Sequence, residues 1–320
     1  RVVDPLTEFG AEFDLTSSEF FPMTVVGTKL PIPISYETII PSAQVKSAIL
    51  LAGLNTPGIT SVVEKQKTRD HTERLLEIYG YDVDIVEEKQ STTISITGQG
   101  TLHSVNISIP GDPSSAAYPI VAGLICKNSK LTVKNVLINP TRDGIYRSLK
   151  EMGAKIDFIN KRSEAGEDVY DILVETSHLK SIEVPASRAP SMIDDYPVLA
   201  VAASIAEGTS IFRGLSELRV KESDRLFGIK HFLEVNGINV EIKNDDLIIE
   251  GSPKGIKGGG TINTNLDHRI AMSSLILGLI SETPVSIDDA ETINTSFPGF
   301  VELMNALGTK IKLSDLSNSL

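Results

Sequence analysis

Residues 219–226 read Arg-Val-Lys-Glu-Ser-Asp-Arg-Leu, and the placing of Lys221 and Arg225 suits chemistry on an anion. Downstream, Leu226, Ile229 and Leu233 recur at helical spacing and Asn236-Gly237 supplies a stop, so the pattern predicts a helix beginning near Ser223. Two cations then sit at its N-terminal end, where the macrodipole is already positive and acidic residues are normally favoured. An anionic ligand accounts for that arrangement, because free backbone N–H groups and basic side chains converge on it. The plainer alternative is a solvated helix start with an i, i+4 Lys/Arg pair.

The same feature recurs. Thr68-Arg69-Asp70 precedes the helix running to Gly80, and Thr141-Arg142-Asp143 the one running to Gly153. Asp267-His268-Arg269 opens an apolar helix from Ile270, and Ser42 opens another with Gln44 in its first turn. Capping by Ser42, Thr68, Thr141 and Asp267 accounts for each start singly. If several such ends converge, their dipoles and cations add, which predicts a site for something carrying several negative charges. Asp194-Asp195 also precedes an apolar helix, and a carboxylate beside cations is placed to act as a general base. A solvated acidic pair is the alternative. Gly258-Gly259-Gly260 lacks the context of a nucleotide loop and reads as a turn, and Gly111-Asp112-Pro113-Ser114-Ser115 reads most simply as a turn plus N-cap, with a polar active-site edge as the alternative. The five histidines have no metal-ligand spacing, so no metal is expected.

These residues sit in a repeated unit. An amphipathic helix ends at glycine and passes into an alternating strand at Gly10, Gly80, Gly153, Gly237 and Gly308, with strands expected over 11–15, 81–85, 154–158, 238–242 and 309–313. Between these lies a second, more apolar helix that runs into a strand: 43–54 before 59–63, 114–125 before 130–136, 199–206 before 209–213, and 270–279 before 285–288. An all-apolar helix must be surrounded by other elements, so the expected architecture places these helices inside and the sheets outside. A plain doubly wound α/β domain is the alternative, but it does not predict the internal period.

At 320 residues and 41 % hydrophobic content the chain has material for about two domains with real cores. A formal charge of −12 disfavours nucleic acid and anionic membrane as partners through bulk charge, yet leaves a local anion site open. Cys126, at the end of an apolar run, reads as a buried small hydrophobe without a disulfide or metal framework, as in a reducing cytoplasm. No membrane-spanning window or signal-peptide pattern is seen. The chain begins at Arg1, inside an amphipathic pattern, and the expectation is that its N-terminus lies further upstream.

Seven motifs together closely resemble the 5-enolpyruvylshikimate-3-phosphate (EPSP) synthase family, in its class II form. They are Ser42-Ala43-Gln44, Thr68-Arg69-Asp70-His71-Thr72-Glu73, Gly111–Ser115, Asn139-Pro140-Thr141-Arg142, Ile193-Asp194, Arg219–Leu226 and Leu266–Met272, in family order from end to end. The resemblance implies an α/β fold, an inside-out α/β barrel of two domains built from βαβαββ units and closing on a cleft. It places the domains at 1–140, lacking an N-terminal unit, and 141–320. The implied reaction transfers the enolpyruvyl group of phosphoenolpyruvate to the 5-hydroxyl of shikimate 3-phosphate and releases phosphate. By motif, Asp194, Lys221 and Glu222 would be catalytic. Ser42, Ala43, Arg69, Asp194 and Lys221 would bind shikimate 3-phosphate, and Gln44, Arg225 and Arg269 would bind phosphoenolpyruvate. The resemblance implies no metal or redox cofactor, no nucleic acid, no membrane, a monomer when full length, and a cytoplasmic location. Family motifs that contact substrate precede Arg1, so this chain alone is expected to be nearly inactive, and Thr295 stands where class I members carry a substrate-binding lysine. The related transfer of enolpyruvate to UDP-N-acetylglucosamine, typically with a reactive loop cysteine, fits Cys126 and the Lys-Glu-Ser-Asp-Arg motif less well. A non-catalytic anion-binding scaffold is the alternative from another class.

Overall fold

Apolar helices followed by alternating strands build the same βαβαββ plan more than once. In the computed structural model, which describes residues 1–14 and 22–313, packing divides the chain into two compact units. The first comprises residues 1–109 with 163–167, the second 110–162 with 168–320.

The first unit opens with α1 (Val3–Glu8) and the antiparallel pair β1 (Glu12–Asp14) and β2 (Thr24–Val26). Leu15, the end of the first expected strand, lies outside the described residues. Then follow β3 (Ser35–Glu37), α2 (Ala43–Leu54), β4 (Ile59–Glu64), α3 (His71–Ile78), β5 (Asp84–Glu87) and β6 (Thr92–Thr97). Their sheet order is β3-β4-β6-β5, with β3 parallel to β4 across α2 and the other pairs antiparallel. Alternation sets the register: Val62 faces Ile94 across the β4–β6 pair, and both are buried with Ile49 and Leu50 of α2 and Leu76 of α3.

A charged cluster ties α2 and α3 together at their starts. The buried Lys46 ammonium lies 3.0 Å from Glu64 Oε2 and 2.6 Å from Glu73 Oε1, and both carboxylates are buried too. The Thr68 hydroxyl donates to Glu64, and Ser47 and Thr72 share a hydrogen bond of 2.6 Å. Removing one partner from such a cluster leaves uncompensated buried charge. Lys46→Met should therefore cost about 3–5 kcal/mol, read as a lower denaturant midpoint at an unchanged m-value. A midpoint within error of the parent would show that the carboxylates are not held by this lysine.

In the second unit the plan returns with α4 (Pro113–Ile125), β7 (Lys130–Leu137), α5 (Gly144–Glu151), β8 (Lys155–Glu164) and β9 (Glu167–Glu175), in sheet order β7-β9-β8. Its first strand shrinks to a parallel bridge between Gly111 and Val136, a close approach in which a Cβ on Gly111 would lie 2.9 Å from the Asn135 carbonyl. The next copy is complete: β10 (Glu183–Val184), α6 (Tyr196–Ser204), β11 (Thr209–Phe212), α7 (Arg225–Glu234), β12 (Asn239–Lys243) and β13 (Asp246–Glu250). Its order is β10-β11-β13-β12, the arrangement of the first unit's sheet. The last copy holds β14 (Ile256–Gly258), β15 (Thr261–Ile262), α8 (His268–Gly278), β16 (Ser281–Thr283), β17 (Ser286–Ile287) and α9 (Phe300–Ala306), with β14 parallel to β16 and β15 to β17.

All of α6 is buried, as is every residue of α4 except Ser115, and both pack against α8. The apolar helices of this unit thus form its interior, as expected from their lack of a polar face. Because α4 packs on α6 and α8, residues 110–140 group by packing with the second unit. The five repeat glycines all take positive φ, from +75° at Gly80 to +104° at Gly308, the conformation that ends each amphipathic helix.

Other expectations differ as well, and the strand expected over 81–85 begins only at Asp84. No strand forms over 309–313, because Asn305 occupies the Ile311 backbone on both sides, donating to its carbonyl and accepting from its N–H at 2.9 Å each. Cys126, expected to be buried, is the C-cap of α4. It is half-buried, and burial pushes its thiol pKa up, which makes it less reactive.

Candidate active site

Three helix starts in the second unit bring their charged residues onto one another. α7 begins at Arg225, later than the expected Ser223, because Asp224 is the N-cap and accepts from the Phe227 N–H at 2.9 Å. Lys221 therefore lies before the helix, in extended backbone, and not on its first turn. What joins it to Arg225 is a shared carboxylate: Asp194 Oδ1 is 3.5 Å from Lys221 Nζ and 3.1 Å from Arg225 Nη1. Asp194 lies just before α6, whose N-cap position is Asp195.

Arg225 is completely buried. Its guanidinium is held on three sides, with Nε donating to Asp267 Oδ2 at 2.8 Å, Nη1 to Asp194, and Nη2 lying 2.5 Å from Glu222 Oε2. Asp267 works at both ends. Its Oδ1 caps α8 by accepting from the Arg269 and Ile270 N–H groups, while Oδ2 takes Arg225 and the Ser223 hydroxyl. Burial alone would raise the Asp267 carboxyl, but Arg225 and these hydrogen bonds hold it below the usual carboxylate range. From the start of α8, Arg269 Nη1 donates to the Asp194 carbonyl at 3.0 Å. Burial opposes the charge on Arg269, yet Tyr118, Asp195, Asp194 and Asp112 hold its pKa above the ordinary arginine value. His268, partly buried and beside Arg269, is pushed down, so it is neutral at pH 7.

Asp194, Lys221, Glu222, Arg225 and Arg269 thus come together. The cations are not free to add, as expected from sequence, because three of them (Lys221, Arg225 and Arg269) face four carboxylates (Asp194, Asp195, Glu222 and Asp267). Ser42, Ala43, Gln44 and Arg69 lie in the first unit. There Ser42 caps α2 by accepting from the Val45 N–H, Ala43 and Gln44 are the first residues of that helix, and Arg69 precedes the N-cap Asp70 of α3. Thr68 and Thr141 do not cap as expected, since Thr68 donates to Glu64 and Thr141 bonds Asn139 Oδ1 at 2.6 Å. The sequence also missed Lys46, whose signal is a charge in the first turn of an otherwise apolar helix. It missed Asp267 as a partner of Arg225, having read it only as a cap. A further group, Asp70, His71 and Glu167, has ligand atoms within 4.8 Å of one another, but its members already pair with each other or with Arg74.

The fold is that of an enolpyruvyl transferase. The enolpyruvyl transferase NikO from Streptomyces tendae superposes with a TM-score of 0.74 at 19 % identity, over 97 % of this chain and 71 % of its own. The chain belongs to the EPSP synthase (3-phosphoshikimate 1-carboxyvinyltransferase) family, whose sequence profile matches residues 1–304. A 3-phosphoshikimate 1-carboxyvinyltransferase from Chelativorans sp. (strain BNC1) is 53 % identical over 318 residues, covering 98 % of this chain and 71 % of the relative. The EPSP synthase structure from Acinetobacter baumannii matches with a TM-score of 0.86 at 42 % identity, over 98 % of this chain and 71 % of that one. Among the described residues no helix is long and apolar enough to cross a membrane.

Proposed function

We propose that the charged group around Arg225 carries the family's reaction, the transfer of the enolpyruvyl group of phosphoenolpyruvate to the 5-hydroxyl of shikimate 3-phosphate with release of phosphate. The observation that supports this most is the sharing of Asp194 between Lys221, Arg225 and, through its carbonyl, Arg269. Each substrate carries a phosphate of about −1.5 to −2 and a carboxylate, so paired guanidinium forks are the fitting receptors.

Arg225 and Arg269 bind phosphoenolpyruvate, with Gln44 contributing from α2. Ser42, the Ala43 backbone and Arg69 hold shikimate 3-phosphate, and Lys221 serves both substrates. A substrate phosphate arriving at Arg225 competes with Asp194 and Glu222 for Nη1 and Nη2. The exchange replaces intramolecular pairs by substrate pairs and frees two carboxyl groups where a base and an acid are needed. Asp194 takes the proton of the 5-hydroxyl as its oxygen bonds to C2 of the enolpyruvyl group. Glu222, which takes up a proton from solvent once it has left Arg225, supplies that proton to C3, which becomes a methyl. Lys221, Arg225 and Arg269 offset charge on the phosphate. Cleavage of the C2–O bond to phosphate and return of a C3 proton to the Glu222 carboxylate then restore the double bond, so the net exchange is phosphate for the 5-oxygen.

We propose a cytoplasmic location and a monomeric state for the full-length protein, on the strength of its family membership. The test is phosphate release by the full-length protein with phosphoenolpyruvate and either acceptor. Release with shikimate 3-phosphate and not with UDP-N-acetylglucosamine is expected. Folded protein that releases none with shikimate 3-phosphate would end this reading, and release with the nucleotide sugar alone would replace it.

A further inference from the structure

Two motifs singled out in the sequence have no part in that chemistry: Gly111–Ser115 and Asn139–Arg142. They meet at a third residue, Asp195, which is almost fully buried beside Asp194. The Arg142 Nη2 donates to Asp112 Oδ1 at 2.8 Å and to Ser114 Oγ at 2.9 Å. Ser114 and Arg142 both favour the ionised form of the Asp195 carboxyl group. Asp112 is fixed in turn as the N-cap of α4, accepting from the Ser115 N–H at 2.7 Å, and Asn139 holds the Thr141 N–H at 2.8 Å just before Arg142. Asp195 Oδ1 itself makes no hydrogen bond and lies 3.7 Å from Arg269 Nη1.

We infer that Asp195 is a positioning residue for Arg269, and that Arg142, Asp112 and Ser114 support its ionised form. This rests on the reading of Arg269 as a phosphoenolpyruvate ligand. Arg269 Nη1 is gripped from one backbone carbonyl and faced by one carboxylate, so the carboxylate fixes where the rest of the fork points. Nothing about packing alone calls for a carboxylate there. Burial pushes the Asp195 carboxyl up to about 6 despite the opposing pull of Arg269, Ser114 and Arg142, so its ionised form at neutral pH is held against a desolvation cost. A neutral residue of the same shape would avoid that cost and lose only the hold on Arg269. The two otherwise unassigned motifs then have a common task, at one remove from the substrate.

The test uses Asp195→Asn, Asp195→Glu and Ser114→Ala in the full-length protein. Steady-state kinetics with both substrates are paired with calorimetric titration of phosphoenolpyruvate in the presence of shikimate 3-phosphate. A misdirected guanidinium weakens binding of its own ligand before anything else. Asp195→Asn should raise KM and Kd for phosphoenolpyruvate about tenfold, while KM for shikimate 3-phosphate stays within about twofold and kcat within about threefold. Asp195→Glu should recover most of the loss, and Ser114→Ala should show about a threefold loss in the same constant. An unchanged phosphoenolpyruvate constant in Asp195→Asn, or an equal loss in kcat and both KM values without rescue by glutamate, would overturn the inference. If Asp195→Asn does not fold, Ser114→Ala reads the same constant and decides in the same way. Parent protein without turnover would count against the proposed reaction instead, and the calorimetric Kd would still decide the role of Asp195.

Discussion

Asp194→Asn is expected to lower kcat by about 10²–10⁴-fold, the range for removing a general base, while KM for phosphoenolpyruvate stays level or falls. The second half of this result separates a base from a binding group. In the structure Asp194 Oδ1 occupies Arg225 Nη1 at 3.1 Å and stands 3.5 Å from Lys221 Nζ, so it competes with an incoming phosphate for the same cations. Neutralising it removes the competitor and leaves the site more positive. A residue that only binds substrate would behave otherwise, with KM rising as kcat holds. Asparagine is the informative replacement because it keeps the volume beside Arg225 and keeps the backbone carbonyl that receives Arg269. Steady-state kinetics over both substrate concentrations read the result. Equal losses in kcat and in substrate affinity would mean that Asp194 serves only to hold the other residues.

The second large effect is on stability and comes from Asp267. Asp267→Ala removes a carboxylate that faces the buried guanidinium of Arg225, and breaking such a pair costs about 3–5 kcal/mol. The lost N-cap of α8 adds about 1 kcal/mol. Asp267→Asn, which can still cap, should lose less. The pH dependence has a definite sign. The Asp267 carboxyl is held below its ordinary value of 3.8 in the folded protein, so its contribution is fully present above the unfolded value. As pH falls through the lowered folded value, the contribution disappears. The stability gap between parent and Asp267→Ala should therefore be constant near neutrality and narrow below about pH 4. Denaturant unfolding at several pH values measures it. A gap that does not change with pH would assign the loss to packing or capping and not to the ion pair.

Much of this was legible from local pattern. The glycine ends of the amphipathic helices were readable because a positive φ is a one-residue requirement, and all five take it. The apolar helices followed from the absence of any polar face, and the caps Ser42 and Asp267 from residue type and position. What escaped depends on contacts between distant residues. Lys46 finds Glu64 and Glu73 only when α2, β4 and α3 pack, and no spacing along the chain announces it. Arg225 reads as a helix-start cation, but its burial and its partners Asp194 and Asp267 come from two other helices. Thr68 and Thr141 look like caps because their type suits the position, whereas Glu64 and Asn139 take their hydroxyls. The strand expected over 309–313 fails because one side chain, Asn305, takes the hydrogen bonds a neighbouring strand would need.

In the proposed reaction, substrate takes Arg225 away from Asp194 and Glu222 and thereby frees the groups that move protons. A structure of the full-length protein with shikimate 3-phosphate and an unreactive phosphoenolpyruvate analogue tests it most directly. The analogue's phosphate or carboxylate oxygens are expected on the guanidinium groups of Arg225 and Arg269. The 5-hydroxyl is expected within hydrogen-bond reach of the Asp194 carboxylate, about 2.6–3.2 Å, with the Asp194–Arg225 Nη1 pair broken. An analogue bound away from both arginines, or a 5-hydroxyl remote from an Asp194 still paired with Arg225, would contradict it.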